Sequence, residues 1–264
     1  MTTQRASFAD AQGDADAGAH RSAAIVREMT AVDLSRIQGV IAHIWGPQQT
    51  PQSNLLQALV HAGNPVLVAL RGDQPVGAAF GFLGWREGIH LHSHMAGVVN
   101  GSESHGIGLA LKLAQRAACL RSGITEMRWT FDPLVARNAH FNLIKLGARV
   151  RAFHPDFYGD MDDVVNSGDN SDRFEVTWRL DAALPTATAP SAPIGGSHAR
   201  VSVRVPADYL ALRRADPDAA RAARESSSEA FGRLFGEGLL PSWTAEGYVF
   251  SGPPGPDVKG AGDG

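Results

Sequence analysis

With 264 residues and 44% hydrophobic content, the chain is large enough for one big domain or two small ones with a real core. Its formal net charge of −3 disfavours a general polyanion binder, so nucleic acid is not an expected partner. The lone Cys119 cannot close an internal disulfide, and in its apolar helical stretch it reads as a buried residue of a cytoplasmic protein.

Residues 1–23 combine acids and small residues without the apolar stretch of a signal peptide, and are expected to be a flexible tail. Nowhere do 18 apolar residues run together, so no membrane span is expected. "IVREMT" alternates like a strand. The helix "TAVDLSRIQGVIAHIWG" follows, with Thr30 and Asp33 spaced as a capping box and Gly46-Pro47 as the stop. "SNLLQALVHAG" is a second short helix. "PVLVALRG" and "QPVGAAFGFLGW" read as strands joined by a tight turn, and "EGIHLHSHMAGVVN" as the next strand, with room for a bulge near Gly97. A helix from Gly106 to Arg121, the strand "TEMRWTFD", a helix after Pro133, and the strands "ARVRAF" and "DRFEVTWRL" complete the run. "DAALPTATAPSAPIGGSH" lacks periodicity and reads as a linker or long loop. Beyond it come the strand "ARVSVRVP", a helix capped by Asp216 with Pro217 at its first position, and the strand "EGYVFSG". The expected fold class is α/β, a mixed sheet with helices on both faces. The expected division is a main domain over 24–180, a linker over 181–198, an extension over 199–252 packed on the main domain, and a tail over 253–264.

The segment "NGSESHGIGLALKLAQRAA" carries the functional argument. A helix N-terminus offers four unpaired N–H groups and a partial positive potential. Glycines at 106 and 108 clear side chains from that end, an arrangement suited to a diphosphate, although the same glycines could simply permit close helix–sheet packing. The third glycine of the dinucleotide fingerprint is missing, and so is the Lys-Ser/Thr of a P-loop. His90, His92 and His94 alternate on one strand face. That spacing suits a metal, but no carboxylate or cysteine partner is evident, histidine equally suits a polar cleft, and no metal site is assigned.

"VVNGSESHGIG" resembles motif A of the GCN5-related N-acetyltransferase superfamily, with Val98, Gly106 and Gly108 on its valine and glycine positions. Asn100 stands where proline is common and Glu103 where arginine or glutamine is usual. "NAHFNLIKLGA" resembles motif B, with Ala139, Lys145 and Gly147 in place, but Leu143 stands where many members carry the tyrosine that protonates the leaving thiolate. "SHM", "GIGLALKLAQR", "WTFDPLVARNAHFNLIKLGA", "FYG" and "DRFEVTW" together are similar to one subgroup of acetyltransferases over about residues 25–250. That subgroup includes N-succinyltransferases associated with N-succinylamino acid racemase.

The resemblance implies a GNAT-like acyl-CoA N-acyltransferase fold with a C-terminal α/β extension, and a donor that is acetyl-CoA or succinyl-CoA. It places the donor on the strand end, Met95, Gly97 and Val98, and on the loop and helix start, Ser104, His105, Gly106, Ile107 and Gly108. Glu103 implies weakened or altered coenzyme A binding. Asn138 and Asn142, four apart on one helix face, are expected to meet the pantetheine arm.

Thioester aminolysis needs a neutral amine, a polarised carbonyl, a protonated leaving thiolate and aligned substrates. Tyr158, in the loop-like "HPDFYGD", is the candidate acid, and His94 the candidate base. Asp132, ending its strand, either orients the amine or His94 or caps the helix at Pro133. Arg173 is expected either to hold a substrate carboxylate or to pair with a nearby aspartate. Lys112 and Arg116, one turn apart, are expected to face solvent, within reach of the coenzyme's 3′-phosphate. The expected activity is transfer of an acetyl or succinyl group to the amine of a small molecule, an amino acid or relative, by direct attack. The alternatives are a non-catalytic acyl-CoA-binding or regulatory protein on the same scaffold, and an acyl-CoA hydrolase or decarboxylase. Whether the chain is a monomer or a homodimer is not readable.

Overall fold

The structure, a computed structural model, describes residues 5–99, 101, 106–159, 168–185 and 200–252. It divides into two compact units: Met1–Trp129 with Met161–Gly168 and Trp178–Ala183, and Thr130–Asp160 with Asp169–Thr177 and Leu184–Gly264.

The first unit begins with a helix where a tail was expected. Helix α1 spans Phe8–Arg21, opened by a capping box in which Ser7 and Asp10 satisfy each other's backbone donors. It has no bulky apolar stripe. Ala11, Ala15 and Gly18 form its buried face, and their small size allows close approach. A Cβ at Gly18 would lie 3.5 Å from Ala110 Cα and 3.0 Å from Leu113 Cδ1. Strand β1 (Ile25–Glu28) leads into a 3₁₀ turn at Ala31–Asp33 and helix α2 (Leu34–Trp45), then α3 (Ser53–His61), β2 (Val66–Arg71), β3 (Gln74–Gly84), β4 (His90–Val98), α4 (Ile107–Arg121) and β5 (Glu126–Phe131). The Thr30–Asp33 capping box is present, and Asp33 also binds Arg27, which holds its carboxyl well below the usual carboxylate range.

Strand order in this unit is β1-β2-β3-β4-β5. The first three pairings are antiparallel and β4–β5 is parallel. Alternation of side chains along the strands sends Val66, Val68, Ala78 and Phe80 to one core with Ile37, Ile41 and Leu56 of α2 and α3. Leu67, Ala69 and Ala79 go to a second core with Ile107 and Leu111 of α4. Burying each large aliphatic side chain contributes about 1.5–3 kcal/mol.

The second unit takes the end of β5, a short α5 (Ala136–Ala139) continued as a π-helix over His140–Lys145, and strands β6 (Arg149–His154) and β7 (Arg173–Arg179, through Thr177). Neighbours run β5-β7-β6, and β6 and β7 are antiparallel. The C-terminal part adds β8 (Val201–Val203), α6 (Tyr209–Ala215), α7 (Pro217–Gly236), β9 (Leu240–Thr244) and β10 (Gly247–Ser251), with sheet order β8-β10-β9. Asp216 caps α7 through Ala219 N at 3.0 Å, with Pro217 at the first position.

The expected boundary at residue 180 is not where this unit begins, because its core is a shared aromatic cluster. Phe153 of β6 and Phe174 of β7 pack on Phe231 and Phe235 of α7, and Phe174 meets Tyr248 of β10 at 5.1 Å. The expected linker starts with Asp181, which accepts from Nε and Nη2 of Arg179; its residues 186–198 and the tail 253–264 lie outside the described residues.

Candidate functional site

Strand β4 has two unequal sides. Its antiparallel ladder with β3 runs from Gly84↔His90 to Gly77↔Val98, whereas the parallel ladder with β5 consists of Leu91↔Met127 and His92↔Arg128. Between the pairs Gly81↔Ser93 and Phe80↔Met95, His94 has no residue opposite. This is a β-bulge, three residues before the expected position at Gly97. Gly81 permits it: a Cβ there would stand 2.5 Å from His92 O and 3.1 Å from Ser93 Cα. Gly97 answers to a different neighbour. A Cβ at 97 would collide with Trp45 Cη2 and lie 2.8 Å from Ile44 Cδ1, so this glycine makes room for the end of α2.

The bulge carries the exposed His94. Its ring lies edge-on to Phe80 at 5.4 Å and tilted against Phe82 at 5.6 Å. Partial burial against these phenyl rings lowers its pKa below the ordinary histidine value. The imidazole is therefore neutral near pH 7, with a lone pair able to accept a proton. His92 stands 6.0 Å away. His90 is buried instead, with Nδ1 2.9 Å from Gly88 O and its ring filling the space over Gly84. Among the described residues no cluster of His, Cys, Asp or Glu is arranged for a metal.

Of the expected donor contacts on β4, Met95 packs against the α2–α3 core and Val98 against the α4 core. Gly106 is the N-cap of α4 with φ 77°, a left-handed conformation that glycine adopts without strain, and it has no side-chain cap bond. The intrahelical ladder starts with Ala110 N to Gly106 O at 3.0 Å. The amides of Ile107, Gly108 and Leu109 thus open a 15-residue helix, and within it they have no backbone acceptor. Ile107's side chain is fully buried, so only its backbone is on offer. Ser104, His105 and Glu103 lie outside the described residues.

Lys112 and Arg116 do not face solvent; they are 4% and 1% exposed. The expectation failed for two reasons: α1 and residues 180–182 cover Arg116, and Lys112 turns to the sheet. Arg116 donates to Leu180 O at 2.8 Å, Ala182 O at 3.1 Å and Asp14 Oδ2 at 2.6 Å. Lys112 Nζ donates to Ser93 Oγ at 2.8 Å and lies 4.0 Å over the Trp129 ring. Cys119 is buried, as expected, and burial pushes its thiol up to about 12.

In the second unit, Tyr158 follows β6 in a turn and is 42% exposed. Its hydroxyl lies 3.2 Å from Thr130 Oγ1 on β5, its amide donates to Ser171 Oγ at 2.8 Å, and the Arg173 guanidinium lies 5.4 Å from its ring. Arg173 itself is buried and donates to the Asp172 carbonyl. Asp132 caps the chain at Leu134 N (2.8 Å), and both its oxygens bind Arg224, at 2.9 and 2.7 Å. Its carboxylate thus serves both the cap and the ion pair. The buried Arg224 also bonds to Asp169, which accepts the Tyr209 hydroxyl at 2.8 Å. This network was not read from the sequence, because Arg224 sits mid-helix among alanines and serines like any solvated residue. Asn138 lies half-buried in the short α5, and Asn142 is buried within the π segment that continues it.

No protein-family model and no curated protein matches the sequence. Solved structures to which the chain is similar include YncA from Salmonella typhimurium with its cofactor acetyl-CoA, at 22% identity over 62% of this chain and 98% of that one, TM-score 0.49. Arabidopsis thaliana Naa50 in complex with a bisubstrate analogue is 14% identical over 59% of this chain and 97% of that one, TM-score 0.48. A GNAT family acetyltransferase from Elizabethkingia anophelis with acetyl-CoA bound is 12% identical over 59% and 97%, TM-score 0.44. Likeness at this level carries no weight for function.

Proposed function

We propose that the chain is a coenzyme A-dependent N-acyltransferase that moves an acetyl or succinyl group to the amine of a small molecule, an amino acid or relative of one. The observation that supports it best is the start of α4: a left-handed glycine cap that, among the described residues, makes no side-chain cap bond, following the strand whose bulge presents His94, an imidazole with a lowered pKa. The amides of Ile107 and Gly108 suit a diphosphate through direct hydrogen bonds and the helix's positive end.

The amine nitrogen attacks the thioester carbonyl carbon, the N–C bond forms, and the C–S bond breaks. His94 accepts the amine proton, a role suited to an imidazole kept neutral by its phenyl neighbours. Tyr158 is proposed as the acid that protonates the leaving thiolate, because the residue is exposed and the Thr130 hydroxyl beside its own can act as donor or acceptor. No covalent enzyme intermediate is involved.

A second reading, a non-catalytic acyl-CoA-binding protein, is favoured by Leu143, a buried hydrocarbon where the resemblance expects a phenol. The test is release of coenzyme A thiol from acetyl-CoA and succinyl-CoA with and without a panel of amines and amino acids. Amine-dependent release that is lost in His94→Ala supports the transferase. Donor binding without release supports the second reading, and amine-independent release a hydrolase.

A further inference from the structure

The site's most costly side chain is one the proposed chemistry does not use. Lys112 is almost wholly buried inside the first unit, and among the described residues it has no carboxylate partner. The groups facing it are Ser93 of β4, the Trp129 ring of β5, and Gln115 and Cys119 of its own helix. Cys119 is a neutral thiol, so among the described residues the ammonium has the Trp129 ring and Ser93 but no counter-charge, and burial depresses the Lys112 pKa from 10.5 to about 7. An apolar side chain of the same length would fill this space at lower cost. The lysine instead completes a directed chain. Its Nζ donates to Ser93 Oγ at 2.8 Å, and Ser93 Oγ donates to Gln115 Oε1 at 2.9 Å.

Ser93 is the residue immediately before the bulge. From the β3 side it is held by the pair with Gly81, whose missing side chain lets the backbones close. From the helix side it is held by Lys112 and Gln115. We propose that Lys112 is a positioning residue: its hydrogen bond to Ser93 Oγ sets the place of the β4 bulge and so the direction in which His94 faces. Bulges re-aim a side chain by a whole strand face when they move one residue, so one grip on Ser93 controls whether the imidazole stands against Phe80 and Phe82.

This inference concerns His94's placement; the base role rests on the proposed transferase. The test therefore has a readout that needs no turnover. Imidazole resonances of the full-length protein are followed by NMR over pH 5–9, with His94 assigned by its loss in His94→Gln. Lys112→Met and Ser93→Ala are each expected to move the His94 titration midpoint by several tenths of a pH unit. The double variant should match the single ones, because both cut the same link. Amine-dependent turnover, where present, should fall roughly tenfold with the donor KM unchanged. An unmoved His94 titration in both variants overturns the proposal, as do independent, additive shifts. If Lys112→Met does not fold, Ser93→Ala alone decides, since it leaves the helix intact. A shifted His94 in a protein that transfers no acyl group overturns the transferase reading and leaves the positioning role standing.

Discussion

Replacing Lys112 by methionine should stabilise the protein most at neutral and lower pH. A buried lysine whose pKa falls from 10.5 to about 7 carries a cost of about 5 kcal/mol when both states are protonated. The sign follows from proton counting. Between the two values the unfolded chain holds a proton that the folded chain has released, so wild-type stability rises with pH across that window. Below about pH 7 both states are protonated and the full cost is present; above 10.5 neither is, and the cost is gone. The methionine variant lacks this dependence. Its lead over wild type should be largest at pH 6 and shrink by about 1.4 kcal/mol per pH unit above 7, offset by a constant from the lost bond to Ser93 and contact with Trp129. Urea unfolding of both proteins at pH 6, 7, 8 and 9 measures it. A gap that does not change with pH would refute the argument that the ammonium is buried without a counter-charge.

Arg224→Ala should destabilise the second unit by about 3–5 kcal/mol, because the mostly buried Asp132 loses its cation and Asp169 keeps only the more distant Arg213; thermal unfolding that moves by less than a degree or two would contradict it. Gly97→Ala should cost about 1–3 kcal/mol, since the new methyl meets Trp45 and Ile44, and Trp45→Leu in the same protein should restore much of the loss in chemical denaturation. Tyr158→Phe should lower turnover by about 100-fold or more while donor affinity stays within a factor of two; wild-type turnover would remove its role as acid.

The strands and most helices were legible because their signals are local. Alternation marks β5 and β7, the Thr30–Asp33 box and Gly46 bound α2, and Asp216-Pro217 opens α7. Helix α1 was not legible by periodicity, since its buried face is alanine and glycine and its energy comes from close packing on α4. The Ser7–Asp10 spacing was the available signal. Without α1, Arg116 reads as exposed, when α1 and residues 180–182 in fact cover it; Lys112 is buried instead against Ser93 and Trp129 of the sheet. The place of the bulge depended on Gly81, a residue on the neighbouring strand, and Asp132's partner lay 92 residues away in α7. Such tertiary pairings leave no trace in local spacing.

The most direct test of the proposed donor site is calorimetric titration of the full-length protein with coenzyme A, acetyl-CoA and succinyl-CoA, alongside Gly108→Trp. The account predicts saturable binding of at least one acylated form, abolished by the tryptophan in a protein that remains folded by circular dichroism. No heat of binding from any of the three, or binding that survives Gly108→Trp unchanged, would contradict an acyl-CoA site at the start of α4.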